Sequence, residues 1–85
     1  MKEVRILGVM INNPMEGAPD VQKILTKYGC SIHTRLGLHD VNDDYARDTG
    51  LMLLELIGDP TESRKLEKEL LKVNNVEVKR MVFNR

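Results

Sequence analysis

The sequence contains no tryptophan, and its aromatic residues are one Phe and two Tyr. It therefore has little from which to build a surface that stacks successive bases. Cys30 is the only cysteine, so neither a disulfide framework nor a thiolate-rich zinc site can form within one chain. A surplus of charge of one sign is also missing, because 13 Lys and Arg balance 13 Asp and Glu. Nucleic-acid binding draws on excess Lys and Arg to neutralise phosphates, so direct nucleic-acid binding is not expected. A local basic patch can still arise, for example from Lys79 and Arg80 with Arg85. No apolar run approaches the roughly 20 residues that cross a bilayer. The start, Met1-Lys2-Glu3-Val4-Arg5, lacks the apolar core of a signal peptide. The expectation is a cytoplasmic protein with no membrane association.

What is present is a chain of 85 residues, read as one domain spanning 1–85. A domain of this size buries only roughly 60–65% of its unfolded surface, and self-association is one common remedy for the thin stability margin.

Val4 to Ile11 is an apolar run with one charge, Arg5, and reads as a strand. Asn12-Asn13-Pro14 ends it, and Met15 to Ala18 reads as a loop with Gly17 as its flexible point. Pro19 suits the first turn of a helix, and Asp20 suits its positive end. Val21, Ile24, Leu25 and Tyr28 then recur at helical spacing, with Gly29 as a C-cap. Cys30 to Leu38 alternates as a second strand. Asp40 to Thr49 reads as an acidic loop, and Gly50 to Gly58 as a third, very apolar strand. Asp59-Pro60-Thr61-Glu62 is a helix start, with Asp59 as N-cap, Pro60 at the first helical position and Glu62 completing a capping box. Leu66, Leu70 and Val73 supply the buried stripe. Asn74-Asn75 turns the chain into a fourth strand, Val76 to Phe83.

The order β-α-β-β-α-β with right-handed crossovers predicts an α+β, ferredoxin-like sandwich: a four-stranded antiparallel sheet with both helices on one face. The first and third strands, the most apolar, take the centre. Alternation assigns Val4, Ile6, Gly8 and Met10 to the helix-covered face, with Cys30, Ile32, Leu36, Met52, Leu54, Leu56, Val76, Val78 and Val82. Leu7, Val9, Ile11, Leu51, Leu53, Ile57, Met81 and Phe83 fall on the other face. Two helices cannot cover both faces, so the open one is expected to mediate self-association.

The chemistry-bearing residues are few. His33 and His39 share a strand face with Arg35, and six residues at about 3.3 Å rise part the imidazoles by roughly 20 Å. They cannot chelate one ion together, and a metal site would need ligands across a subunit interface. Asp40, Asp43, Asp44 and Asp48 lack the glycine and terminal glutamate of an EF-hand loop. No nucleophile relay or glycine-rich phosphate motif is present. Cys30 reads as a small buried hydrophobe. The loop from Asn12 to Ala18 is the candidate ligand site. Free backbone N–H groups at the following helix start favour an anionic group, Asn12 and Asn13 can add side-chain hydrogen bonds, and Gly17 gives the loop freedom.

Val9 through Ile32 resembles the opening of ACT domains: an apolar strand, an Asn/Pro/Gly loop, the helix Val21-x-x-Ile24-Leu25-x-x-Tyr28-Gly29, then Cys30-Ser31-Ile32. Thr34-Arg35-Leu36-Gly37-Leu38, Gly50-Leu51-Met52-Leu53-Leu54-Glu55-Leu56, Leu66, Leu70 and Val76-Glu77-Val78-Lys79 are similar to small stand-alone ACT-like proteins known as iron-only hydrogenase system regulators. The resemblance implies a fold shared with ACT domains and with the ligand-binding domain of nickel-responsive repressors. It also implies small-molecule binding at subunit interfaces and a signal passed to a protein partner. Where ACT loops carry an acidic residue and a Pro-Gly pair, this chain has Asn13-Pro14-Met15-Glu16-Gly17.

The reading that follows is a non-enzymatic, oligomeric, ACT-like regulatory module without a cofactor or resident metal, binding a small polar ligand near Asn12, Asn13 and Gly17. Two alternatives stay open: a metal-responsive sensor using His33 or His39 across an interface, and a structural interaction subunit.

Overall fold

A charged residue decides how the first strand lies. In the computed structural model, which describes residues 3–12, 14–40 and 47–85, β1 (Glu3–Ile11) alternates strictly, and its buried set is Arg5, Leu7, Val9 and Ile11. Val4, Ile6, Gly8 and Met10 are half-buried on the opposite side. The expected parity of β1 is therefore reversed: Leu7 and Val9 are core residues at 0% exposure, not open-face residues. The cause is Glu67, itself buried, whose Oε1 accepts from Arg5 Nη1 at 2.6 Å. Arg80 Nη1 donates to its Oε2 at 2.8 Å, and Arg5 also reaches Glu3, with Nε 3.4 Å from Oε2. Burying a guanidinium is tolerable only with such partners. Burial lowers the Arg5 pKa, but its hydrogen bonds to Glu67 and Glu3 outweigh this and raise it, so Arg5 is held as a cation.

The remaining elements follow in the order α1 (Pro14–Lys27), a short 3-10 turn (Gly29–Ser31), β2 (Ile32–Asp40), β3 (Arg47–Leu56), α2 (Pro60–Leu71) and β4 (Val76–Asn84). The four-stranded antiparallel sheet has the order β2-β3-β1-β4, with β1 and β3 central. This is the ferredoxin-like α+β fold. Leu7, Val9, Ile11, Leu54 and Leu56 of the sheet meet Val21, Leu25 and Tyr28 of the first helical segment and Leu66 and Leu70 of α2.

Helix α1 starts earlier than expected. Met15 to Ala18 belong to it, and Pro19 lies inside it rather than in its first turn. An interior proline costs about 3 kcal/mol. Burying Val21, Leu25 and Tyr28, at 1%, 3% and 8% exposure, is worth roughly 1.5–3 kcal/mol each for such apolar side chains, so the stripe outweighs the break. Gly29 does not form the expected left-handed cap. The helix tightens instead into the 3-10 turn, where Ser31 N–H donates to the Tyr28 carbonyl at 2.9 Å. Cys30 sits in that turn and is exposed, not buried.

The second strand changes parity partway. Ile32 pairs with Leu56 and Thr34 with Glu55, so His33 is the extra residue of a bulge. Ile32 packs on the core. Beyond the bulge Leu36 pairs with Leu53 and is 50% exposed on the open face, where strict alternation had placed it under the helices. Arg35 faces α1 and donates to Gln22 Oε1 at 2.8 Å. The β2 and β3 strands also run further than expected, with Asp40 opposite Arg47, and Asp43 and Asp44 lie outside the described residues.

The second helix begins as expected. Asp59 is its N-cap and accepts from Thr61 N–H at 2.9 Å, with Pro60 at the first position. Replacing Asp59 with Ala removes this acceptor and is expected to cost about 1 kcal/mol, read as a lower urea midpoint with an unchanged slope. An unchanged midpoint would mean that the cap contributes nothing.

The helices are also tied to each other. Tyr28 Oη donates to Glu69, and Lys27 Nζ lies 3.1 Å from Glu69 Oε2. The hydrogen bond from Tyr28, then that from Lys27, holds the Glu69 carboxyl below the ordinary carboxylate range. The same bond to Glu69, then burial, raises the Tyr28 hydroxyl. A carboxyl depressed in the folded state contributes stability that is present above its unfolded pKa and is lost as pH falls through the folded one. The lead of the wild type over Glu69→Gln in urea midpoint is therefore expected to shrink between about pH 6 and about pH 3. Parallel pH profiles for the two proteins would sink this assignment.

Candidate functional site

The end of β1 and the start of β4 are neighbours because the strands pair antiparallel, with Ile11 opposite Val76. That register brings the residue after β1 against the turn before β4, and Asn12 N–H donates to the Asn75 carbonyl at 2.8 Å. Asn75 holds this turn in a left-handed conformation, φ 63°, which asparagine adopts more readily than most residues. Asn12 is exposed beside it.

Gly17 is not a loop hinge. It is buried in α1, and a Cβ there would lie 2.9 Å from Ile11 Cγ2. Its lack of a side chain lets the first helix approach the first strand. Asn13 lies outside the described residues. Of the three residues expected to form a ligand loop, Asn12 and Gly17 thus converge on one corner of the fold, through different elements than expected.

Gly17 also lines a cleft of about 350 Å³, together with Asp20 of α1, Lys72 and Val73 after α2, and Asn74 and Asn75 of the turn. The lining carries one cationic and one anionic side chain, amide side chains and turn backbone. Such a set suits hydrogen bonding to a small polar molecule. Asp20, Lys72, Asn74 and Asn75 had been read only as helix or turn residues. The strand order β2-β3-β1-β4 is the signal that places the Asn74-Asn75 turn beside Asn12.

The metal candidates are dispersed. His33 is exposed at the β2 bulge, Cys30 is exposed in the preceding turn, and the side chains of His39, Asp40 and Asp48 are outside the described set. Among the described residues no group of three or more His, Cys, Asp and Glu side chains is arranged to hold a metal ion. Among those residues, too, no helix is long and apolar enough to cross a membrane.

The sheet face away from the helices is the other distinctive surface. Leu36, Leu53, Met81 and Phe83 are exposed there at 50%, 37%, 55% and 49%. Registers Leu36–Leu53, Leu53–Gly8, Ile6–Met81 and Val4–Phe83 place them in one band across all four strands. Leu53 Cδ2 lies 3.8 Å from where a Gly8 Cβ would stand, so Leu53 leans over the centre of that band.

No family model matches the chain, and no curated protein matches it in sequence. Among solved structures it is similar to the uncharacterized protein TM1266 from Thermotoga maritima, with a TM-score of 0.74, 18% identity and 98% of each chain covered. It is also similar to PA3566 from Pseudomonas aeruginosa, with a TM-score of 0.52, 8% identity, 100% of this chain and 97% of the other covered. A third, weaker likeness is to CPII, a nitrogen regulatory PII-like protein from Thiomonas intermedia K12 solved with ADP, AMP and bicarbonate, at a TM-score of 0.47 and 12% identity over 98% of this chain and 94% of that one. The likeness to TM1266 and PA3566 is one of fold.

A helical glycine normally gains roughly 0.5–1 kcal/mol on replacement by alanine. At Gly17 the contact with Ile11 Cγ2, fixed near the strand backbone, reverses that sign, since overpacking costs about 1–3 kcal/mol. Gly17→Ala is therefore expected to lower the thermal midpoint while keeping the far-UV circular dichroism. A raised midpoint would show that the first helix does not sit this close to β1.

Proposed function

We propose that this protein is a non-catalytic, self-associating regulatory module of the ACT-like kind, which senses a small polar ligand at the cleft beside Asn12, Gly17 and Asn75. The observation that carries the proposal is the uncovered apolar band of Leu36, Leu53, Met81 and Phe83 on a ferredoxin-like sheet. Contiguous exposed apolar side chains on one sheet face mark a surface that gains from contact with a partner, and a second copy offers the same band. The polar cleft lies at the strand ends rather than in this band, so assembly leaves it open. The sequence resemblance to iron-only hydrogenase system regulators supports an output in that system through a protein partner.

Two adjacent residues give the test. Leu53 is 37% exposed on the open face, whereas Leu54 is fully buried under the helices. Leu53→Lys would place a charge inside the contact between copies, at a cost of several kcal/mol. It is expected to shift the protein to a smaller species in sedimentation at micromolar concentration, with its far-UV circular dichroism retained. Leu54→Lys is expected to unfold the domain. A wild type that already sediments as a monomer would overturn the assembly. For the ligand, a thermal-shift screen with free amino acids is the first probe, since a ligand at about 100 times its Kd adds roughly 2.7 kcal/mol.

A further inference from the structure

A second cleft lies on the helix side of the sheet, between α2 and the edge strand β4, toward the other end of β1 from Asn12. Its volume is about 500 Å³, within the range of small-molecule sites. Its cations come from three elements: Arg5 on β1, Arg64 and Lys68 on α2, and Arg80 on β4. The carboxylates that face them are Glu67, in the lining, and Glu3, paired with Arg5 and 3.9 Å from Arg64. Four cations against two carboxylates leave a surplus of two positive charges at one place in a chain whose formal net charge is zero.

The carboxylates are already committed. Glu67 accepts from Arg5 at 2.6 Å and from Arg80 at 2.8 Å, one oxygen to each. The Arg80 and Arg64 side chains line the cleft and are nevertheless 61% and 60% exposed. Lys68 has no ion-pair partner among the described residues. Glu67 thus holds the Arg80 guanidinium at Nη1, and the fork has further N–H donors with which to meet an anion.

The walls beside these cations are apolar. Leu71 and Val82 line the same cleft and are 54% and 39% exposed. They lie on the helix side of the sheet, away from the band that mediates assembly in the proposal above. A purely inorganic anion would leave them in water. A nucleic acid backbone would call for a wider basic surface than one cleft of a neutral chain.

From this arrangement we propose that the α2–β4 cleft binds a small amphipathic organic anion, with a carboxylate or phosphate head on Arg64, Lys68 and Arg80 and an apolar body on Leu71 and Val82. The site is separate from the cleft at Asn12 and is lined by residues of a single copy.

The test is a titration of the full chain, followed by NMR at the arginine Nε–H groups and at the Leu and Val methyls. The probes are hexanoate, hexyl phosphate, inorganic phosphate and hexanol, all at matched ionic strength in chloride. Hexanoate or hexyl phosphate is expected to give saturable shifts at Arg80 and at the methyls of Leu71 and Val82. Which of the two binds more tightly identifies the head group. Inorganic phosphate should move Arg80 alone and bind more weakly, and hexanol should not saturate. Lys68→Gln, at an exposed residue, is expected to weaken binding about tenfold without changing the thermal midpoint, as loss of one charge-assisted contact implies. Arg80→Gln should weaken binding to a similar degree; because it also removes a partner of buried Glu67, its thermal midpoint is expected to fall, and retention of its fold is checked by circular dichroism. Arg85→Gln should leave affinity unchanged. Shifts that stay linear in every probe, that centre on Leu53 and Met81, or that survive Lys68→Gln undiminished would overturn the proposal.

Discussion

The buried pair of Arg5 and Glu67 is the constraint on which the rest of this structure turns. A strand has only two ways to face, and shifting it by one residue exchanges all its side chains between core and surface. With Arg5 inward, Leu7, Val9 and Ile11 are inward too, and they supply the centre of the core. The pair spans 62 residues of sequence and joins β1 to α2, and Arg80 draws in β4 through the second oxygen of Glu67. A buried ion pair is a poor source of net stability, because desolvating two charges offsets most of their attraction. Its contribution here is selection: the opposite parity of β1 would leave buried Glu67 without its Arg5 partner, at a cost of about 3–5 kcal/mol. It would also turn three large apolar residues away from the helices.

The same pair explains where sequence reasoning succeeded and where it stopped. Element order, the two central strands and the start of α2 at Asp59 and Pro60 were legible because each rests on local chemistry: apolar runs, a capping side chain, a proline at the first helical position. The parity of β1 was not, because the partner that makes a buried arginine tolerable stands far along the chain. The exposure of Leu36 was hidden for a related reason. The His33 bulge breaks the two-residue period, and only the register against β3 reveals it. Pro19 was read as a helix start because proline is favoured there. The apolar stripe that carries α1 through it draws its energy from tertiary burial. At the candidate site, Asn12 was legible as the end of a strand. Asn75 and Lys72 were not, since their nearness to it comes from the pairing of β1 with β4.

Placing the helices on one side of the sheet gives the molecule a division of surfaces. The band of Leu36, Leu53, Met81 and Phe83 suits contact with a second apolar surface and little else. Both clefts lie elsewhere, one at the strand ends by Asn12 and one between α2 and β4. Under the proposed function, assembly through the apolar face would leave both clefts open.

Coupling between such surfaces needs an element that belongs to both, and β4 is that element. Arg80 and Val82 point into the α2–β4 cleft, while Met81 and Phe83, alternating with them, point to the open face. As an edge strand β4 is held by β1 on one side alone, and its second half is exposed on both faces of the sheet. It is joined to the helices by the bond from Arg80 to Glu67 and by the packing of Val76 and Val78 on the core. An anion on the donors of Arg80 that Glu67 leaves free would therefore sit on the strand that also carries Met81 and Phe83. Any coupling between binding and association equals the difference in ligand affinity between the separate and the associated copies, and the effect of ligand on association must equal it.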